Sequence, residues 1–213
     1  MKRLSRWIYP LLRQPLESPS IYCGECQIVS FLQALNIQTV HVIGHSGGGA
    51  VAIALAATMP SLVSSLVISD STGIPLGALP RVALRRLIEM VMETPKVKPV
   101  PMLRFSQALL YNGVFRTQNV IQSARLGLKK DLRPLLRQIQ SPTLVLWGGN
   151  DRFIPVQLGY EFAQYIPDAR MIVAEGEYHE WAMFRPEKFV PMIVDFLDEV
   201  EKSGSFCSTY AGK

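Results

Sequence analysis

The stretch IGHSGGG, residues 43–49, constrains this chain more tightly than any other. A short apolar run, TVHVIG (39–44), leads into it, and the alanine-rich run AVAIALAATMP (50–60) leaves it. A turn between a strand and a helix needs one glycine and has no use for a hydroxyl. Three glycines after a serine describe backbone that turns sharply while other backbone comes close. Gly44-His45-Ser46-Gly47-Gly48 spells G-x-S-x-G. That pattern is weak alone and strong between a strand and a helix, where the turn lifts the serine above the carboxyl edge of a sheet. The Gly47 N–H, at the helix N-terminus, then points to where charge on a substrate oxygen would develop.

A serine hydroxyl is a poor nucleophile until a base takes its proton and an acid orients that base. WGGNDRFIP places Asp151 just after the apolar run TLVLWG (143–148), and EGEYHEWAMF places His179 just after ARMIVAEG (169–176). Both therefore project from strand ends, at the edge that carries Ser46. Local alternatives stand beside these roles. Asp151 can cap the helix that follows it, and His179 can be an exposed loop histidine. Asp70, at the end of the run SLVISDS (65–71), is a second candidate for the acid. His45 reads as packing and His41 as a strand residue without chemistry.

The apolar runs do not alternate with polar residues, and helical patterns separate them. That predicts a parallel sheet covered on both faces, an α/β fold. The predicted helices are GECQIVSFLQALN (24–36), 48–59, PVQLGYEFAQYI (155–166) and EKFVPMIVDFLDEVEK (187–202), with Pro191 kinking the last or marking its start. Between about 73 and 138 only helical patterns occur, as in an insertion between two halves of one sheet.

The motifs VHVIGHSGGG, DLRPLLRQIQSPTLVLWGGNDRFIP and GEYHEWAMFRPEKF together resemble the α/β-hydrolase fold family, over residues 20–202. The resemblance implies a mostly parallel sheet flanked by helices with a helical cap. It also implies Ser46 as nucleophile, His179 as general base and acid, Asp151 as the carboxylate that fixes the imidazole tautomer, and Gly47 as an oxyanion donor. The expected organisation is an irregular segment over 1–20, a core over 21–72 and 139–202, a cap over 73–138 and a disordered tail over 203–213. Full-length relatives place four strands, a helix and an H-G type loop ahead of the strand at 39–44. Only 38 residues precede it here, so the resemblance is to an N-terminally truncated form of the fold. Upstream coding sequence is the first expectation for the source of the front strands and the second oxyanion donor; a partner that supplies them and a catalytically degraded relative are the others. The strand at 39–44 is expected to have an uncovered outer edge open to self-association or a partner, with WIYPLL (7–12) a poor cover for it.

Composition narrows the rest. With 48% apolar and 18% charged residues among 213, the chain reads as one globular domain. No run is long enough for a membrane span, and MKRLSRWIYPLLRQP lacks the core and cleavage site of a secretory signal. Three cysteines make no disulfide framework, and Cys23-x-x-Cys26 has no histidine at metal-ligand spacing. A cytoplasmic enzyme without metal or cofactor is the expectation. The net charge of +5 is uneven: residues 81–140 carry 12 Lys and Arg against 3 Asp and Glu. No nucleic-acid reader motif accompanies that basic segment.

In LPRVALRRLIEMVMETP (79–95), Leu84, Leu87, Ile88 and Val91 share one face, with Arg81, Arg85 and Glu89 opposite. Ordinary packing of the apolar face over the site is the first reading, and contact with an anionic membrane the second. Met90, Met92, Met102, Phe105, Tyr111 and Phe115 offer soft surface for an acyl pocket. The function expected is a serine hydrolase cleaving a small apolar ester through an acyl-enzyme. The alternative is an impaired relative that binds or signals.

Overall fold

A computed structural model describes residues 21–210. The predicted segment 1–20, WIYPLL within it and the last three residues lie outside the described residues. We number the elements in chain order. Helix α1 is Ile21–Ala34, β1 Val40–His45, α2 Gly47–Thr58 and β2 Val63–Ser69. The insertion carries α3 (Leu79–Glu93), a 3-10 turn (Thr94–Lys96), α4 (Pro99–Phe115) and α5 (Thr117–Lys129). The chain returns through α6 (Arg133–Leu136), β3 (Thr143–Gly148), α7 (Val156–Tyr165), β4 (Ala169–Ala174), α8 (Trp181–Phe184) and α9 (Pro186–Tyr210).

The four strands form one parallel sheet in the order β1-β2-β3-β4. Each is an apolar run because helices cover both faces. The two-residue period of a strand sorts its side chains between those faces. Leu66, Ile68, Val145 and Trp147 pack with Ile53, Leu55, Phe162 and Leu136 on one side. Val67, Leu144 and Leu146 pack with Trp181, Phe189, Ile193 and Phe196 on the other. Strand β3 lies in the middle with all six residues buried. Among the described residues β1 pairs only with β2, and Ile43 is exposed on it.

Two expectations change. Helix α9 continues to Tyr210, so residues 203–210 are helical where a disordered tail was expected. Pro191 sits inside α9, close enough to its start that the lost N–H costs one early hydrogen bond. The second change concerns α3. Its buried residues are Val82, Glu89 and Glu93, while Leu84, Leu87, Ile88 and Val91 face outward. The apolar packing face is therefore the open one. The helix turns Glu89 inward because its carboxylate meets backbone donors, as the site shows.

Candidate functional site

The junction 43–49 folds as its glycines require. Ser46 caps α2 with φ 53° and ψ −125°, a region a non-glycine residue rarely occupies. The surroundings hold it there. Its N–H donates to the Ser69 carbonyl at 3.0 Å, and its carbonyl accepts from the N–H groups of Gly49 and Thr72 at 3.1 and 3.2 Å. A Cβ on Gly44 would stand 2.7 Å from Gly49 Cα, and one on Gly49 would stand 2.0 Å from Ser71 Oγ. Those two glycines let α2 close onto β1 and the segment after β2. Gly47 and Gly48 meet no such neighbour, so the second glycine of G-x-S-x-G is not the one that packing demands here. As the first residue of α2, Gly47 carries one of the helix's orphan N–H groups at the serine.

The three residues singled out from sequence meet at this edge. His179 Nε2 lies 3.0 Å from Ser46 Oγ, and His179 Nδ1 lies 2.9 Å from Asp151 Oδ2. Asp151 Oδ1 accepts the Ile154 N–H at 2.7 Å, so its two oxygens divide between the following turn and the imidazole. Asp151 does not cap α7, whose N-cap is Pro155 with no side-chain bond; one of its oxygens closes the turn at Ile154 and the other faces the imidazole. The loops after β3 and β4 are tied by the Asn150 N–H donating to the Glu177 carbonyl at 2.8 Å. His179 is buried, with the Phe153 ring edge-on at a centroid distance of 4.9 Å. Burial draws the His179 pKa down to about 4, against the opposing pull of Glu180 and Asp70. Its ring is therefore neutral near pH 7 and free to accept a proton. Asp151 is pushed up, first by burial and then by the nearby Glu89 charge.

Asp70, the other candidate acid, does not reach the imidazole. Ser69 Oγ donates to Asp70 Oδ2 at 2.6 Å, Trp181 Nε1 to the same oxygen at 2.8 Å, and the Gly148 N–H to Oδ1 at 2.8 Å. It joins β2, β3 and α8 beneath the site. Burial, with Asp151 beside it, pushes its pKa up to about 7. His45 is more than packing. Its ring lies 5.0 Å from that of His179, and its Nε2 lies 3.7 Å from Glu180 Oε2. Burial pulls the His45 pKa down, but Glu180, Asp70 and Asp151 outweigh it and leave it raised. His41 Nδ1 lies 2.8 Å from Ser65 Oγ on the neighbouring strand, away from this edge.

The residues missed from sequence come from the insertion and the His179 loop. Glu89 accepts hydrogen bonds from the N–H groups of Arg152, Phe153 and His179 and from Arg86. Arg86 also pairs with Glu180. Val82, Arg86, Glu89 and Glu93 recur at intervals of four, three and four, a helical stripe visible in the sequence once polar residues are allowed to face inward. Two groups, Asp70–Asp151–His179 and His45–His179–Glu180, hold ligand-type atoms within 4.8 Å of one another. Both carboxylates of the first already accept N–H or O–H donors, which suits a proton relay better than a cation. Cys26 is exposed, and the side chain of Cys23 lies outside what is described. No helix among the described residues is long and apolar enough to cross a membrane.

Known proteins resemble this chain in sequence and in fold. The chain is 31% identical over 188 residues to a 2-hydroxy-6-oxononadienedioate/2-hydroxy-6-oxononatrienedioate hydrolase of Paraburkholderia xenovorans, across 78% of this chain and 64% of that protein. It is 25% identical to a 2-hydroxy-6-oxo-6-phenylhexa-2,4-dienoate hydrolase of Comamonas testosteroni, across 80% of this chain and 66% of that one. The chain thus spans just under two thirds of the length of these curated relatives. Among solved structures, a bacterial membrane phospholipase A superposes with a TM-score of 0.73 at 24% identity, covering 89% of this chain and 66% of its own. A meta-cleavage product hydrolase from Pseudomonas fluorescens gives 0.72 at 18% identity, covering 88% and 75%. These structural likenesses carry the fold. The alpha/beta hydrolase family model matches residues 15–192, a span that holds Ser46, Asp151 and His179 together with the whole parallel sheet, and the chain belongs to that family.

Proposed function

We propose that the chain is a serine hydrolase that cleaves a small, apolar carboxylic ester or a related acyl bond. The observation that carries this reading is the continuous relay Ser46 Oγ–His179 Nε2, 3.0 Å, and His179 Nδ1–Asp151 Oδ2, 2.9 Å. His179 takes the hydroxyl proton as Ser46 attacks the acyl carbon. Asp151 holds the Nδ1–H tautomer and steadies the imidazolium that forms. The Gly47 N–H meets the developing oxyanion. His179 returns the proton to the leaving group, and a water activated by the same ring releases the acyl group from Ser46.

A second reading has its own support. The curated relatives are named as hydrolases of 2-hydroxy-6-oxo dienoates, in which the bond broken joins two carbons. The electrophile is again a carbonyl carbon, but the leaving group is carbon. The 2-hydroxydiene must first tautomerise to its 2-oxo form, so that the electrons of the broken bond pass into that conjugated carbonyl and the proton returned by His179 completes the released dienol. Fluorophosphonate labelling of folded wild type that disappears in Ser46→Ala is the expected result. Turnover of p-nitrophenyl esters against ring-fission dienoates separates the two bond types. Folded wild type that neither labels nor turns over either class is a binding protein instead.

A further inference from the structure

We propose that Glu89, carried on the inserted helix α3, is a positioning residue that clamps the Asp151 and His179 loops in register, so that the relay forms only with the insertion seated. The inference rests on the serine-hydrolase reading of that relay. The Glu89 side chain is fully buried and all its donors come from these two loops and one arginine. Oε2 accepts the N–H groups of Arg152 and Phe153, the second at 2.8 Å; these residues directly follow Asp151. Oε1 accepts the His179 N–H at 3.1 Å and Arg86 Nη1 at 3.2 Å. One planar carboxylate therefore spans the backbone beside the acid and the backbone of the base, and its geometry sets the separation of the two loops.

A buried carboxylate is retained only where donors surround it. Helix packing alone would satisfy Glu89 with any set of donors, and gives no reason for the two oxygens to divide between these two loops. Nor would it explain why α3 leaves Leu84, Leu87 and Val91 outside in order to bring Glu89 in. Arg86 extends the clamp. It also pairs with Glu180, the residue after His179, and its guanidinium carbon lies 5.2 Å from the centroid of the Phe153 ring that abuts the imidazole. Replacing the carboxylate by an amide leaves one acceptor oxygen. The amide NH₂ then opposes a backbone N–H, whichever way it turns.

The test compares three versions of the full chain: wild type, Glu89→Gln and Val82→Ala. Val82 is buried on the same helix, seven residues before Glu89, so its truncation reports loss of helix packing. Two readouts are taken well below each melting temperature: the rate of fluorophosphonate labelling, and the far-downfield proton resonance of His179 Nδ1–H. Glu89→Gln is expected to label roughly 10- to 100-fold more slowly, the loss typical of a misplacement near 1 Å, and to shift or broaden the resonance. Val82→Ala is expected to melt earlier with rate and resonance unchanged. Wild-type rate and resonance in Glu89→Gln overturn the clamp. So does equal slowing in Val82→Ala. If Glu89→Gln does not fold, Glu89→Asp takes its place; one methylene short, it reaches only one loop, and an unaltered rate there overturns the proposal as well. Folded wild type that shows no labelling counts against the hydrolase reading and not the clamp, which the resonance reads independently.

Discussion

Helices α2 and α3 both carry apolar residues at helical spacing, and they settle on the protein in opposite senses. α2 buries eight of its residues, Gly49 and Ala50 and then Ala52 through Ala57, between β1 and β2. α3 buries Val82, Glu89 and Glu93 and leaves Leu87 60% and Val91 68% exposed. The difference lies in what each helix meets. Strand residues offer α2 a dry apolar surface, and burial there is worth about 25 cal/mol per Å². The loops after β3 and β4 offer α3 unpaired N–H groups, and leaving a buried donor unmet costs about 1–3 kcal/mol each. Three backbone donors converge on Glu89. Together they outweigh the burial of one or two leucines. A helix over a sheet is oriented by its apolar stripe, whereas a helix over a loop-built site is oriented by the acceptors that site lacks.

The largest effect comes from the point where the two helices' contributions meet, the Asp151–His179 pair. Asp151→Asn keeps the shape and, with its carbonyl on the Ile154 N–H, presents an NH₂ donor to Nδ1, so the Nδ1–H tautomer that accepts from Ser46 is lost. Fluorophosphonate labelling should fall by about 10³–10⁴-fold with the fold intact, as for the serine protease equivalent. A fall below tenfold would remove Asp151 from the relay and return Asp70 to candidacy.

Next comes the α2 side. Gly49→Ala sets a methyl where Ser71 Oγ stands at 2.0 Å and Ser71 Cβ at 2.6 Å. Rotating the hydroxyl away does not clear the Cβ, so α2 must lift from the segment after β2. Overpacking of this kind costs about 1–3 kcal/mol or more, read as a lower urea midpoint. Adding Ser71→Gly should recover most of it. Gly48→Ala, with open space around the new methyl, should cost little, which separates the glycine that packing needs from the one that only completes the motif.

The contrast also has a pH signature. Burial holds Asp70 and Glu93 up at about 7, and His45 is raised as well. Each binds its proton more tightly folded than unfolded, so each contributes stability that is lost as pH rises through the folded value. His179 runs the other way. Lowered to about 4, it adds stability between there and about 6.5, where the unfolded ring would be charged. Above 6.5 its contribution is constant. The melting temperature should therefore drop by a few degrees between pH 6.5 and 8. Glu93→Gln should flatten part of that slope, because Glu93 lies on the inward stripe of α3. A melting temperature that rises over that interval would mean these carboxyl groups are ionised at less cost than their burial implies. The same low His179 value places the acid limb of serine labelling below pH 6.5.

How much of this was legible in the sequence follows the same division. Strands β1 to β4 and helices α2 and α7 were readable to within a residue or two, because continuous apolar runs and proline or glycine breaks fix them. That Ser46, Asp151 and His179 lie at one edge was readable from the elbow and from two loops placed after strands. The orientation of α3 was not. Hydrophobic periodicity marks a helix and names an apolar face, but Arg152, Phe153 and His179 request an acceptor with their backbone, which every residue carries alike. Nor could Asp70 be placed under the site, since its partner Trp181 lies 111 residues away. The helical extension of α9 to Tyr210 is hidden by the serines and glycine of SGSFCSTY, poor helix formers whose composition resembles that of a disordered tail.

The smallest expected effect is the sharpest check on the reversed helix. Leu87→Ser and Val91→Ser change residues that face outward, so each should alter stability by no more than about 0.5 kcal/mol, the range of surface substitutions. Val82→Ala, on the inward side five residues before Leu87, removes buried methyls and should cost more than either, about 1 kcal/mol or above. Urea midpoints measured side by side rank the three. Were Leu87→Ser to cost as much as Val82→Ala, the apolar stripe of α3 would be packed after all. Glu89 could not then face the loops from the same helix, since residues 87 and 89 lie about 200° apart around its axis.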